Sequence, residues 1–113
     1  MEELNRLEKS ILNRLSKKYP SLIFHIPYLK VQSRELTGVG MYINLLYSNS
    51  IDQELDLDIK NTSISTNEII ELDGLKYGLF FELDISDGKL NFIELVTIGE
   101  EWDGNVSDNF VFK

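Results

Sequence analysis

The longest alternation of apolar and polar positions lies between residues 77 and 99 and predicts a β-hairpin. Its first strand places four apolar side chains on one face, namely Leu79, Phe81, Leu83 and Ile85, because side chains two residues apart share a face. Asp87-Gly88 follows, and this pair favours a tight turn with positive φ angles. The returning segment from Leu90 to Ile98 is apolar on both faces, which predicts a strand in the middle of the sheet.

The register of this hairpin decides the surroundings of Glu94, and two registers are open. A two-residue loop places Glu94 opposite Phe81, whereas a three-residue loop with a bulge places it opposite Phe80. Glu94 is then either an acid whose apolar neighbours raise its pKa or a carboxylate near the sheet edge that contacts water or a backbone donor.

The rest of the chain predicts one helix and further strands. Residues 2–19 carry leucine and isoleucine at helical spacing and end at Pro20. Leu22–Tyr28 alternates and predicts a strand, with Pro27 at an edge or bulge. Extended segments follow at Leu29–Leu36, at Met41–Tyr47 and, as a last short strand, at Phe110–Phe112. The sequence therefore predicts an α+β fold, with an N-terminal amphipathic helix packed on an antiparallel sheet of about four to six strands.

An acidic alternation follows between residues 51 and 59. If it is a strand, Glu54, Asp56 and Asp58 lie on one face with Asp52. A calcium loop that starts at Asp52 is rejected, because Leu57 occupies the position that requires glycine. The row is either a solvated strand face or a docking surface for a basic partner.

Composition and charge narrow the function classes. The chain has 113 residues, which predicts a single domain over 1–113, and it has no cysteine. No secretion signal or membrane span is recognised, so a cytoplasmic protein is expected. The net charge is −8, and residues 51–113 hold fifteen acids against four lysines. This surplus argues against nucleic-acid binding and favours a basic protein partner.

No residue pattern predicts catalysis. His25 is the only histidine, and a general base or metal site would need a second histidine or a placed carboxylate. We therefore interpret His25 as a surface or half-buried residue, and we expect no enzymatic activity, no cofactor and no metal.

A family resemblance is carried by Gly78-Leu-Phe-Phe-Glu82, Asp87-Gly-Lys-Leu90, Ile93-Glu-Leu95 and Gly99-Glu-Glu-Trp102. This arrangement resembles the C-terminal part of bacterial immunity proteins from contact-dependent growth inhibition and related polymorphic toxin systems. The resemblance covers about the last third of the chain. It implies a cytoplasmic, non-catalytic protein that occludes a cognate toxin domain, often a nuclease with a basic cleft.

Two acidic features are the candidate partner-binding residues: Glu54, Asp56 and Asp58, and the later group Glu100, Glu101, Trp102 and Asp103. Trp102 either enters a pocket on the partner as an anchor or packs under the sheet while its neighbouring acids are solvated. The alternative functions are a non-catalytic adaptor or structural protein in an oligomer and a small carboxylate-dependent hydrolase. The sequence does not set the oligomeric state.

Overall fold

A computed structural model describes residues 2–48 and 61–113 and confirms the predicted α+β class. One α-helix, α1 (Arg6–Lys18), precedes two short 3₁₀ turns, at Pro20–Phe24 and Ile26–Tyr28. The strands are β1 (Leu29–Leu36), β2 (Gly40–Tyr47), β3 (Thr62–Ile64), β4 (Ile70–Leu72), β5 (Leu79–Ser86), β6 (Lys89–Thr97) and β7 (Phe110–Phe112). No helix in residues 2–48 and 61–113 is long and apolar enough to cross a membrane.

The seven described strands form one antiparallel sheet in the order β1-β2-β6-β5-β4-β7, with β3 also paired to β5. The returning strand β6 lies between β2 and β5, so its predicted central position is confirmed. Helix α1 packs on one face, called here the inner face. That face carries most of the buried core, including Ile43, Phe81 and Leu95.

Helix α1 begins later than the predicted residue 2. Asn5 caps it: the Asn5 side chain accepts a hydrogen bond from the Glu8 backbone N–H, and the Glu8 carboxylate accepts one from the Asn5 N–H, each at 2.8 Å. This reciprocal pair satisfies two backbone donors and fixes the first turn. Glu2 instead forms a backbone bridge with Val31 of β1. The predicted apolar stripe is nevertheless buried from Leu4 to Leu15.

The prediction of a strand at Leu22–Tyr28 is wrong. Backbone N–H groups donate to carbonyls three residues back, from His25 to Leu22 at 2.9 Å and from Tyr28 to His25 at 3.0 Å. Pro20 begins the first 3₁₀ turn and Pro27 is the second residue of the other, and the fixed φ of proline suits the start of a helical turn. Proline geometry therefore overrides the alternating pattern.

The predicted two-residue loop of the hairpin is confirmed, but both predicted partners of Glu94 are wrong. The Asp87-Gly88 turn has two loop residues with φ of 53° and 72°, and it pairs Ser86 with Lys89. The register then shifts, because Asp84 pairs with Phe92 while Ile85 pairs with Leu90. Asn91 is thus an extra residue in β6, a β-bulge that reverses the faces beyond it. Glu94 consequently lies opposite Glu82.

Candidate protein-binding surfaces

An open concavity of about 680 Å³ lies at one end of the sheet and contains several predicted site residues. Three segments meet there: the β1–β2 turn, the β4–β5 turn and the chain after β6. The Trp102 backbone N–H donates to the Gly38 carbonyl at 3.0 Å and joins the first segment to the third. The lining residues are Gly38, Val39, Asp73, Gly74, Glu101, Trp102, Asp103 and Asn105. We call this region the sheet-end concavity.

Glu101 and Asp103 are exposed at the sheet-end concavity, together with Asp73, which the sequence prediction did not include. Glu100 does not line it. The Glu100 carboxylate accepts hydrogen bonds from the backbone N–H groups of Lys76 at 2.8 Å and Tyr77 at 2.7 Å. Glu100 therefore fixes the β4–β5 connection to the C-terminal segment, and its carboxylate oxygens are already bound.

Trp102 is buried, with 8% of its surface exposed, and it belongs to the hydrophobic core. Its indole N–H donates to the Asn105 carbonyl at 3.3 Å. In the free chain Trp102 therefore packs within the protein, which is the second of the two predicted alternatives. Its role in partner binding stays a prediction, since its edge lines the sheet-end concavity.

The other predicted acidic row, Glu54, Asp56 and Asp58, lies outside the described residues. On its C-terminal side, the Asn61 side chain accepts a hydrogen bond from the Asp87 N–H at 3.1 Å. The described chain therefore resumes beside the hairpin turn, at the end of the sheet opposite the sheet-end concavity. The docking role of these three residues stays a prediction.

The structure reveals a third acidic surface on the outer face of the sheet, opposite α1. Consecutive pairings connect Glu35 to Tyr42, Tyr42 to Glu94, and Glu94 to Glu82 across four strands. Residues paired directly in this way have neighbouring side chains on the same face. We call these four residues the carboxylate row.

The carboxylate row is flanked by two further rows on the same face. On one side Gly40, Val96 and Phe80 are paired, and on the other Ser33, Asn44, Phe92 and Asp84. None of these positions holds a lysine or arginine. The outer face therefore combines carboxylates with aromatic and aliphatic side chains.

The carboxylates of this row have no cationic partner among residues 2–48 and 61–113. A hydrogen bond with the Glu94 carboxylate, and the charge of that carboxylate, raise the pKa of Tyr42. Glu82 lies directly opposite Glu94, and like charges in such a pair destabilise a sheet. The outer face thus holds unneutralised negative charge.

On the helix side of the molecule, by contrast, carboxylates are paired with cationic side chains. Arg34 of β1 donates from Nε to Glu8 at 2.8 Å and from Nη2 to the same carboxylate at 2.9 Å. Arg14 bonds to Glu68, and Lys30 to Glu3. Cationic side chains therefore concentrate around α1, where each of these three has a carboxylate partner.

His25 is fully buried, which contradicts its expected placement at the surface or half-buried. Its Nδ1 lies 2.8 Å from the Tyr47 hydroxyl, which also accepts a hydrogen bond from the Leu90 N–H at 2.9 Å. His25 thereby helps to join the 3₁₀ turns to β2 and β6. Among residues 2–48 and 61–113, no group of three His, Cys, Asp or Glu side chains is placed to hold a metal ion.

The carboxylate row was not predicted, because the Asn91 bulge changes the partner of Glu94. The alternation of Glu82 and Glu94 with apolar residues was visible, but their pairing depended on a register that the turn alone does not fix.

Comparisons with protein-family models, with curated proteins and with solved structures found no match for this chain.

Proposed function

We propose that this chain is a non-catalytic immunity protein that binds and occludes a basic toxin domain. The carboxylate row carries the proposal, because three carboxylates and no cation lie in one row across four strands. Such a field attracts a positively charged partner and suppresses anionic ones. The resemblance of the last third of the chain to immunity proteins supports the same conclusion.

The outer face supplies apolar contact area as well as charge. Phe80 is 47% exposed, and its partner Val96 is half-buried, as are Tyr42 and Phe92 elsewhere on the same face. Aromatic side chains contribute strongly to binding energy at interfaces, whereas exposed charges mainly affect the association rate and the choice of partner. We assign Phe80 and its neighbours to contact area, and the carboxylates to steering and partner choice.

The size of the outer face indicates that binding extends beyond it. Four strands about 4.8 Å apart and three rows about 7 Å apart give a patch of roughly 14 Å by 14 Å. A standard interface buries about 800 Å² on each partner, which is several times this patch. The sheet-end concavity is the natural extension, since Val39 on its wall directly precedes Gly40 of the outer face.

The test is binding kinetics over a salt series against a candidate toxin domain, taken from a toxin gene if one is found directly upstream of this gene. In a variant carrying Glu82→Gln and Glu94→Gln, we expect the association rate at low salt to fall roughly threefold to tenfold, as expected for a loss of steering. Glu71→Gln is the matched control, because Glu71 already pairs with Lys113 and is exposed on β4. Wild-type association without salt dependence would refute the electrostatic basis.

The sheet-end concavity requires its own variant. Glu101→Gln with Asp103→Asn removes two charges from exposed side chains, whereas Trp102→Ala also removes part of the core. We therefore use Trp102→Phe for the anchor hypothesis and verify its fold by circular dichroism. A folded Trp102→Phe variant that dissociates at the wild-type rate would exclude Trp102 as an anchor.

A further inference from the structure

We infer that a pocket on the outer face binds the guanidinium group of an arginine side chain presented by the basic protein partner. The pocket has a volume of about 420 Å³ and is lined by Ser65, Asn67, Phe80, Phe81, Glu82, Glu94 and Val96. We call it the Phe80 pocket. This inference rests on the proposed function and specifies the chemistry of the partner.

The apolar wall of the Phe80 pocket can contact the aliphatic stem of an arginine and stack on its flat guanidinium. Phe80 and Val96 are directly paired across β5 and β6, and Phe80 is exposed over nearly half of its surface. A guanidinium is planar, is weakly hydrated and stacks on aromatic faces, while its aliphatic stem covers apolar surface. The wall therefore favours arginine over the more strongly hydrated ammonium of lysine.

The two carboxylates of the Phe80 pocket explain why its ligand should be positively charged and should carry several hydrogen-bond donors. Glu82 and Glu94 are the next pair along the same two strands, with Cβ atoms expected about 5 Å apart. One guanidinium presents donors on several edges and can bond two carboxylates at once. It would also neutralise the repulsion between them, which no lysine or arginine in residues 2–48 and 61–113 does through an ion pair.

Hydrogen bonds within the protein fix the rim of the Phe80 pocket. The Ser65 hydroxyl donates to the Phe81 carbonyl at 2.7 Å and accepts from the Asn67 N–H at 3.3 Å. A pocket with a fixed rim loses little conformational freedom on binding, so a small ligand can bind it measurably.

The experiment titrates N-acetyl-arginine amide into the full chain labelled with ¹⁵N and follows the amide chemical shifts. N-acetyl-citrulline amide is the neutral control of nearly the same shape. We expect the arginine probe to bind with a dissociation constant on the order of 1–10 mM. Its shifts should concentrate at Phe80, Glu82, Glu94 and Val96, and citrulline should cause at most a fifth of the change.

Variants test the assignment without relying on a toxin. Glu82→Gln and Glu94→Gln should each weaken arginine binding at least threefold, whereas Glu71→Gln on β4 should leave it unchanged. Equal shifts with citrulline, equal binding of N-acetyl-lysine amide, or shifts centred on Glu101 would each overturn the inference. Arginine binding at this pocket without toxin binding would refute only the proposed function, and toxin binding without arginine binding would refute only this inference.

Discussion

Neutralising one carboxylate of the outer face should stabilise the free protein. Glu82 lies opposite Glu94 on the neighbouring strand, and Glu82 is exposed, so the interaction is screened by water. Two unit charges about 6 Å apart in water repel by roughly 0.7 kcal/mol. Glu82→Gln keeps the side-chain shape and removes this term, so we expect unfolding to require about 0.5 kcal/mol more free energy, within the range of cross-strand pairs.

The expected gain corresponds to a measurable thermal shift. For a chain of 113 residues, the unfolding entropy near 60 °C is about 240 cal/mol/K, so 0.5 kcal/mol raises Tm by roughly 2 °C. The measurement is thermal and urea unfolding at 20 mM and at 1 M NaCl. At 1 M salt the screening length falls to about 3 Å, and the gain should largely disappear.

Glu71→Gln separates the local repulsion from the effect of net charge. Both variants change the net charge by one unit, but Glu71 forms an exposed ion pair with Lys113 at 2.9 Å. Its neutralisation should leave stability unchanged or lower it slightly. An equal gain in both variants would show that general self-repulsion is responsible. A loss of stability in Glu82→Gln at low salt would refute the reasoning outright.

Three further predictions concern the fold. Glu8→Ala should lower the free energy of unfolding by about 3 kcal/mol, because the carboxylate is buried against Arg34. In the same urea titration Glu3→Ala should cost much less, because Glu3 is exposed to solvent. Phe81→Ala, in the core, should cost about 3–5 kcal/mol in urea unfolding. Hydrogen bonds, first from Arg14, lower the pKa of Glu68. The stability that the ionised Glu68 carboxylate contributes is therefore fully present above the ordinary glutamate pKa and is lost as pH falls through the lowered pKa. Between pH 7 and pH 3 the free energy of unfolding should consequently fall less in Glu68→Gln than in the wild type.

The sequence predicted the elements whose pattern and chemistry agree. The apolar stripe of α1 and the Asp87-Gly88 turn both depend on local spacing, and both are present in the structure. The start of α1 was misplaced because Asn5 and Glu8 form a capping box that the two preceding glutamates obscured. At Leu22–Tyr28 a period of two was present, but hydrogen bonding three residues apart determined the local structure.

The candidate site was harder to predict, because it depends on which strands are neighbours. Glu101 and Asp103 were identified from their local composition, and Asp73 was missed because it reaches the same concavity from a distant turn. The carboxylate row requires the order β1-β2-β6-β5 and the bulge at Asn91. A local sequence pattern specifies neither the strand order nor the bulge. The bulge matters because a single inserted residue exchanges the two faces of a strand.

The stability of the free chain and its affinity for a cation are linked through Glu82 and Glu94. At saturation, an affinity at least threefold higher adds at least about 0.65 kcal/mol to the wild type relative to Glu82→Gln, which exceeds the gain of about 0.5 kcal/mol that loss of the repulsion gives the free variant. Arginine amide should therefore raise the Tm of the wild type more than that of Glu82→Gln, and the order of the two proteins should reverse at saturation. Such a reversal would support the proposed basic partner.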